Sequence, residues 1–320
     1  MRASVDWKQK RVLVTGATGF VGQHLVRQLL DRGARVYAAS PPEGHTPPAA
    51  PDPEPHPVTL TFDIRDAEAV REAIDKAQPD IVFHLAAVGV TDPSIDATTA
   101  LSVNTAGAVN LLEGLRGTRP ERVVMTGTCY EYGLSRGAKL DPCNAYSASK
   151  VAAWAFGRMY WRAYDLPVMT VRPFQVYGPG QPPQMLIPSA IAAAVSGKDF
   201  PMTPGEQVRD FVFVEDVAKG MIAASETAAC EGQSLDLGTG RGVPVWEAVE
   251  SIWELTGAEG EIRAGALPYR QASIMHLVAD ADQTAEMTGW WARTDLRRGL
   301  QITIEALMSR SDVSDDNGII

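Results

Sequence analysis

The sequence predicts an α/β protein: a doubly wound parallel sheet with a smaller, mostly C-terminal α/β substrate domain. Two observations predict it. Short β-branched runs alternate with helix-length stretches through the first half, the pattern of successive βαβ units. The first of these strands also runs straight into a glycine-spaced turn that opens a helix, at 11–22. Arg11 to Val14 reads as a buried strand, and Val21 to Asp31 as a helix with apolar spacing at Leu25, Leu29 and Leu30. Arg35 to Ala39 is the second strand. Residues 41 to 57 hold eight prolines and read as an exposed loop, because proline neither donates to a ladder nor continues a helix. Thr59 to Phe62, Ile81 to Ala86, Arg122 to Thr126 and Val168 to Arg172 supply further strands, with helices around 66–77, 97–116 and 146–164. After Arg172 the alternation breaks at GPGQPP, 178–183, and a short helix follows around Ile187 to Ser196. RDFVFV at 209–214 is strand-like and leads into a helix from Val217 to Ser225. The polar tail, 311–320, is expected to fray.

Composition narrows the function. The 320 residues carry 29 Lys and Arg against 39 Asp and Glu, a net charge of −10. Nonspecific nucleic-acid binding needs a basic face and is excluded as a main role. No apolar run reaches the length of a membrane helix; the longest, Ile81 to Val90, contains His84. The apolar stretch from Val12 runs into the glycine turn rather than a cleavage site, so a secretory leader is not expected. Cys129, Cys143 and Cys230 cannot all pair and lack metal-ligand spacing. The expectation is a metal-free enzyme of the reducing cytoplasm.

The turn reads Thr15-Gly16-Ala-Thr-Gly19-Phe20-Val21-Gly22. Gly16 permits the tight turn, Gly19 lets backbone approach a pyrophosphate, and Gly22 allows close helix packing. The free N–H groups and positive dipole end of the helix receive the phosphate charge. The spacing, GxxGxxG, points to a dinucleotide. An acid at the end of the second strand would hold the ribose 2′-hydroxyl of NAD and repel a 2′-phosphate. Ser40 stands there instead, which favours NADP(H), although no arginine adjoins it; Arg35 and His45 are the candidate substitutes.

Tyr146 and Lys150 occur as YSASK, four residues apart and so on one face of the 146–164 helix. A free phenol titrates near 10, and a nearby ammonium stabilises its phenolate, bringing the group toward a working pH. Thr128, just past the strand at 122–126, is placed to hold a reacting oxygen.

With these residues assembled, the chain resembles the extended short-chain dehydrogenase/reductases, NAD(P)-dependent nucleotide-sugar epimerases, dehydratases and reductases. The resemblance runs from about Arg11 to Met308. It is carried by TGATGFVG at 15–22, FDIRD at 62–66, FHLAA at 83–87 and NTAGAVNLLE at 104–113. TGTCYEYG at 126–133, YSASK at 146–150, RPFQVYGPG at 172–180, GEQVRDFVFVEDVA at 205–218 and LPYR at 267–270 complete it. The resemblance implies a Rossmann-type fold in which Gly16, Gly19, Phe20, Val21 and Gly22 hold the pyrophosphate. It places Asp63 and Ile64 beside the adenine, Ala86 and Ala87 along the cofactor cleft, and Asn104 near it. Thr128, Tyr146 and Lys150 match the catalytic triad. Gln175 replaces an asparagine common beside the sugar nucleotide, and Arg209 and Arg270 match arginines that bind its diphosphate. Val88 to Thr91 and Gln184 to Ile187 are further sugar-side candidates. The implied domains are 1–172 plus about 211–238 for the dinucleotide and 173–210 plus about 239–310 for the nucleotide sugar. The helices at 97–116 and 146–164 resemble those of a four-helix dimer interface, with Ala152, Ala153, Ala155, Phe156 and Met159 suited to helix contact.

TGTCYEYG discriminates among reactions. Related 4,6-dehydratases resemble TxEVYG or TDEVYG here, and eliminating water needs such an acid beside the tyrosine. This chain has Cys129 and Tyr130, with Glu131 one position late; on a strand, that slip turns the side chain to the opposite face. Dehydration and decarboxylation are therefore disfavoured. The wording of the segment and Ser40 favour an NADPH-dependent 4-ketoreductase of a 4-keto-6-deoxy sugar nucleotide, with Tyr146 as proton donor. The alternatives are an NAD-dependent 4-epimerase, an atypical dehydratase using Cys129, and a non-catalytic NAD(P) sensor.

Overall fold

The computed structural model describes residues 5–42, 56–92, 94–135, 139–269 and 273–315. Most of the proline-rich segment, with His45, lies outside these residues, as do Arg270 and 316–320. In chain order the first half contains β1 (Arg11–Thr15), α1 (Phe20–Asp31), β2 (Arg35–Ser40), β3 (Val58–Thr61), α2 (Ala67–Ala77), β4 (Ile81–His84) and α3 (Ala97–Ala100). A π-helical segment, Leu101–Ala106, joins α3 to α4 (Gly107–Leu115), followed by β5 (Arg122–Thr126), α5 (Ala145–Tyr164) and β6 (Val168–Pro173). The second half contributes β7 (Gln175–Tyr177), α6 (Leu186–Val195), β8 (Phe200–Met202), β9 (Val208–Arg209), β10 (Phe211–Phe213), α7 (Val214–Ser225) and β11 (Ser234–Leu237). It ends with β12 (Val243–Pro244), α8 (Val245–Thr256), β13 (Ile262–Ala264), β14 (His276–Leu277), α9 (Ala281–Thr288) and α10 (Leu296–Asp315).

Seven parallel strands form the main sheet in the order β11-β6-β5-β4-β1-β2-β3. Its central strands are buried on both faces, which is why they read as continuous apolar runs. One face is covered by α1 and α7 through Leu25, Leu29, Val217 and Met221. The other packs against α2, α4 and α5 through Ile74, Leu111, Leu112 and Ala153. A third apolar cluster gathers α6, α8 and α10 around Tyr177, Phe211 and Phe213. Ala153 thus belongs to the chain's own core, whereas Phe156 and Met159 are exposed.

Several elements depart from expectation. The helix at 97–116 is interrupted by the π segment, which aims Thr105 Oγ1 at the Ser149 carbonyl, 2.9 Å away. The strand-like 209–214 run splits into β9 and β10, which join different sheets. Buried Asp210 sits at the break and explains it, accepting hydrogen bonds from Thr239 N (2.8 Å), Gly240 N (2.9 Å) and Ala279 N (3.2 Å). Helix α7 begins at Val214, three residues before its expected start. Helix α10 runs to Asp315, with Leu300 and Ile304 buried on its early turns. Among the described residues no helix is long and apolar enough to cross a membrane, and no His, Cys, Asp and Glu cluster is placed to hold a metal.

Candidate active site

Strand β1 has β2 on one side and β4 on the other, so the chain reverses direction across the sheet between β1 and β4. Ligands of doubly wound sheets bind in the crevice that opens at such a switch point, beyond the carboxyl ends of the strands. Gly16 has φ +69°, and a Cβ there would lie 2.7 Å from Ala86 N. The glycine turn therefore touches the backbone that follows β4, and only glycine fits. A Cβ on Gly22 would collide with the Gly16 carbonyl, so α1 starts flush against the turn. Gly19 is the N-cap of α1, Phe20 and Val21 begin the helix, and Gly19 N donates to Gly16 O at 3.0 Å. The first-turn N–H groups of α1 and the bare glycine backbone suit the pyrophosphate of a dinucleotide.

At the adenosine end, β2 stops at Ser40, and no carboxylate stands in that position. Arg35 begins β2, five residues or about 17 Å away along an extended strand, with its guanidinium over Tyr37 at 5.4 Å. It does not serve Ser40. The Asp63 carboxylate is engaged by Arg65, at 2.9 and 3.0 Å from Nε, which holds it below the usual carboxylate range. The Ile64 side chain is in the core against Gly107, so only its backbone is available to a base.

Helix α5 presents the reactive pair. Asn144 caps it, accepting from Ser147 N at 2.8 Å, and the helical repeat then puts Tyr146 and Lys150 on one face. Tyr146 is half-buried and Lys150 is buried. The Thr128 side chain lies beside the Tyr146 phenol, and Lys150 shares a face of α5 with Tyr146, so the three expected residues come together. Burial pushes the phenol above its ordinary value, with the Thr128 side chain opposing. Desolvation thus dominates, and the Lys150 ammonium is not among the groups that lower the phenol. Burial also brings Lys150 down to about 8, against the pull of Glu131. Buried His84, hydrogen-bonded through Nδ1 to Thr15 Oγ1 at 2.7 Å, is held neutral at about 3 by burial and by Lys150.

Comparison with known proteins agrees with this geometry. Residues 12–238 match the model of the NAD dependent epimerase/dehydratase family. The chain belongs to that family. It is 31% identical to a UDP-glucose 4-epimerase of Mycolicibacterium smegmatis, over 94% of this chain and 99% of the relative. Among solved structures, an epimerase of Methanothermobacter thermautotrophicus superposes with a TM-score of 0.86 at 26% identity, covering 97% of this chain and 96% of that one. A Thermus thermophilus UDP-glucose 4-epimerase in complex with NAD gives 0.82 at 28% identity, covering 93% and 99%.

Against this epimerase/dehydratase framework, the segment after β5 takes a local form that the strand argument did not anticipate. Cys129–Tyr132 is a 3₁₀ turn, in which residues three apart eclipse. Glu131 therefore returns beneath Thr128, and its Oε1 accepts from Thr128 N at 2.9 Å. It is fully buried. Cys129 is buried too, its thiol pushed up to about 12 by desolvation, so it stays protonated and is no acid–base exchanger near neutrality. Tyr130 was not expected at the site. Its hydroxyl donates to Gln175 Oε1 at 3.3 Å, and the Arg209 guanidinium lies near it. The Arg209 guanidinium is itself braced on the carbonyls of Val208 (2.9 Å) and Ile274 (2.6 Å). Gln175 and Arg209 are thus brought to the turn that carries Thr128. Ile187 is not: the apolar face of α6 buries it with Ala190, Ile191 and Ala194. Val88 is half-buried beside the cleft, while Val90, Thr91 and Gln184 are exposed. Asn104 is buried and committed to protein contacts.

Proposed function

We propose that this enzyme is an NAD-dependent 4-epimerase of a nucleotide-diphosphate hexose. The observation that carries the reading is the content of the catalytic turn: Thr128 meets Tyr146, while the turn's one acid, Glu131, is turned into the protein. Epimerisation needs only an oxygen-orienting hydroxyl, a proton-exchanging phenol and a cation, whereas elimination needs a further acid–base group. The resemblance to UDP-glucose 4-epimerases supports the same reading. Gly16, Gly19, Phe20, Val21 and Gly22 would hold the pyrophosphate, with Ser40, Asp63 and the Ile64 backbone at the adenosine and Ala86, Ala87, Tyr146 and Lys150 toward the nicotinamide. NAD supplies, when bound, a reversible hydride acceptor. Thr128 Oγ1 orients the C4 oxygen, and Tyr146 Oη takes its proton and returns it. Lys150 Nζ, charged below about pH 8, stabilises the phenolate. Arg209 suits the substrate diphosphate, since a braced guanidinium fork matches phosphate oxygens.

The division of labour follows the two regions of the chain, 1–172 plus about 211–238 for the cofactor and 173–210 plus about 239–310 for the nucleotide sugar. Exposed Phe156 and Met159 on α5 give the expected homodimer face an apolar centre. Ser40 favours a second reading, the NADPH-dependent 4-ketoreductase of a 4-keto-6-deoxy sugar nucleotide, because no carboxylate there selects against a 2′-phosphate.

The test is the nucleotide released from the denatured pure protein, identified by mass spectrometry, followed by incubation with UDP-hexoses. Near-stoichiometric NAD and interconversion at C4 without net redox change are expected. An empty site that takes NADPH in preference, with turnover only on a 4-keto sugar nucleotide, would replace the epimerase with the reductase.

A further inference from the structure

The buried carboxylate of Glu131 joins two parts of the molecule. Oε1 accepts from Thr128 N at 2.9 Å, and Oε2 accepts from Arg172 Nε at 2.7 Å. Arg172 is also buried, its guanidinium 5.3 Å from the Tyr132 ring centre and 5.7 Å from that of Trp154. The Tyr132 hydroxyl passes the connection on, donating to Asp236 Oδ1 on β11 at 2.7 Å. Gly127 leaves the room for this arrangement, since a Cβ there would strike Glu131 Oε1.

Stability alone is a poor reason for such a pair. Desolvating two charges costs about as much as their attraction returns, and well-packed apolar residues often do as well. Position gives a better reason. In the 3₁₀ turn, Thr128 Oγ1 accepts from Tyr130 N at 3.3 Å while Glu131 holds Thr128 N, so both polar ends of Thr128 are fixed. Lys150 lines a small cavity with His84, Thr126 and Gly127, and the Glu131 carboxylate favours its ammonium. Thr128 favours the Tyr146 phenolate, whereas the nearby Cys129, Tyr130 and Glu131 disfavour it. Glu131 is thus the acidic group that both members of the reactive pair share.

We propose that Glu131, locked between Thr128 and Arg172, is a positioning residue that fixes the Thr128 hydroxyl against Tyr146 and supplies a buried negative charge to the Tyr146–Lys150 pair. It rests on the reading of Thr128, Tyr146 and Lys150 as the working triad.

The charge is read directly by NMR titration of protein carrying 13C-labelled lysine, with Lys150→Met identifying the Lys150 signal. Glu131→Gln keeps an acceptor for Thr128 N and removes the charge; Glu131→Ala removes both. Both should lower the Lys150 midpoint by about half a pH unit or more, since a lost neighbouring anion favours the neutral amine. Arg172→Gln should raise it, and this second variant decides the matter if the Glu131 variants fail to fold. Turnover should fall at least about tenfold in Glu131→Gln and further in Glu131→Ala, with KM little changed. An unmoved Lys150 midpoint, or shifts of the same sign in the Glu131 and Arg172 variants, overturns the proposal. The titration needs no substrate, so failure of the epimerase reading would appear as absent turnover with the midpoint shifts intact.

Discussion

Asn104 holds Val88 by both of its backbone polar groups: Oδ1 accepts from Val88 N at 2.8 Å and Nδ2 donates to Val88 O at 3.0 Å. Nδ2 also donates to Ser149 Oγ at 2.9 Å, one residue before Lys150. One buried amide therefore ties the loop beyond β4 to α5, and the π segment is what aims it there. Asn104→Ala would remove the partner of Val88 N and of Val88 O, while Ser149 Oγ keeps the Tyr146 carbonyl at 2.7 Å, and should destabilise the protein by about 1–3 kcal/mol. Urea unfolding measures the loss, and a nucleotide titration should show weaker binding because the cleft wall at 86–88 is no longer fixed. A variant as stable as the parent would show that water replaces the amide.

Tyr146→Phe removes one oxygen from the site and leaves the glycine turn untouched. Cofactor affinity should change little, while turnover falls by about 10²- to 10⁴-fold, the usual contribution of a positioned proton donor. Fluorescence titration and steady-state rates separate the two. Retained turnover would dismiss the tyrosine, and with it the proposed reaction.

The first six strands and their helices were legible in the sequence because both faces of the sheet are buried. That burial writes unbroken β-branched runs between amphipathic helices. The glycine turn was legible because each glycine answers a steric demand, as the Gly16–Ala86 approach demonstrates. Strand β11 was not, since SLDL is four residues long and carries an acid at its centre. Asp236 is tolerated there because Tyr132 donates to it at 2.7 Å, a partner 104 positions away. The setting of Glu131 is hidden for a similar reason: strand alternation turns it from the acid position, but the chain forms a 3₁₀ turn that returns it beneath Thr128. Its role depends on Arg172, which no local pattern announces.

Thiol chemistry gives an independent check of that turn. Cys129 and Cys230 are buried and Cys143 is exposed. A neutral disulfide reagent should modify Cys143 rapidly in the native protein and the other two only on unfolding, as peptide mass mapping would reveal. Since desolvation keeps the Cys129 thiol protonated, Cys129→Ala should retain turnover. Loss of turnover in that variant, with its fold intact, would return the cysteine to the chemistry.

His84 should shape the acid limit of stability. An unfolded chain takes up a proton at this imidazole below about pH 6.5, whereas the folded protein refuses it until about 3. Burial is the main cause and the Lys150 ammonium the second. Between those two values the unfolded state binds more protons, so the stability contributed by His84 is complete above about 6.5 and drains away as pH falls. His84→Gln keeps a polar group near Thr15 Oγ1 but cannot titrate. The drop in urea midpoint between about pH 7.5 and 5 should therefore be smaller in the variant than in the parent. Equal drops would mean that the imidazole is protonated in the folded protein, which would require an acceptor beside Lys150 and reverse the electrostatics assigned to the floor of the site.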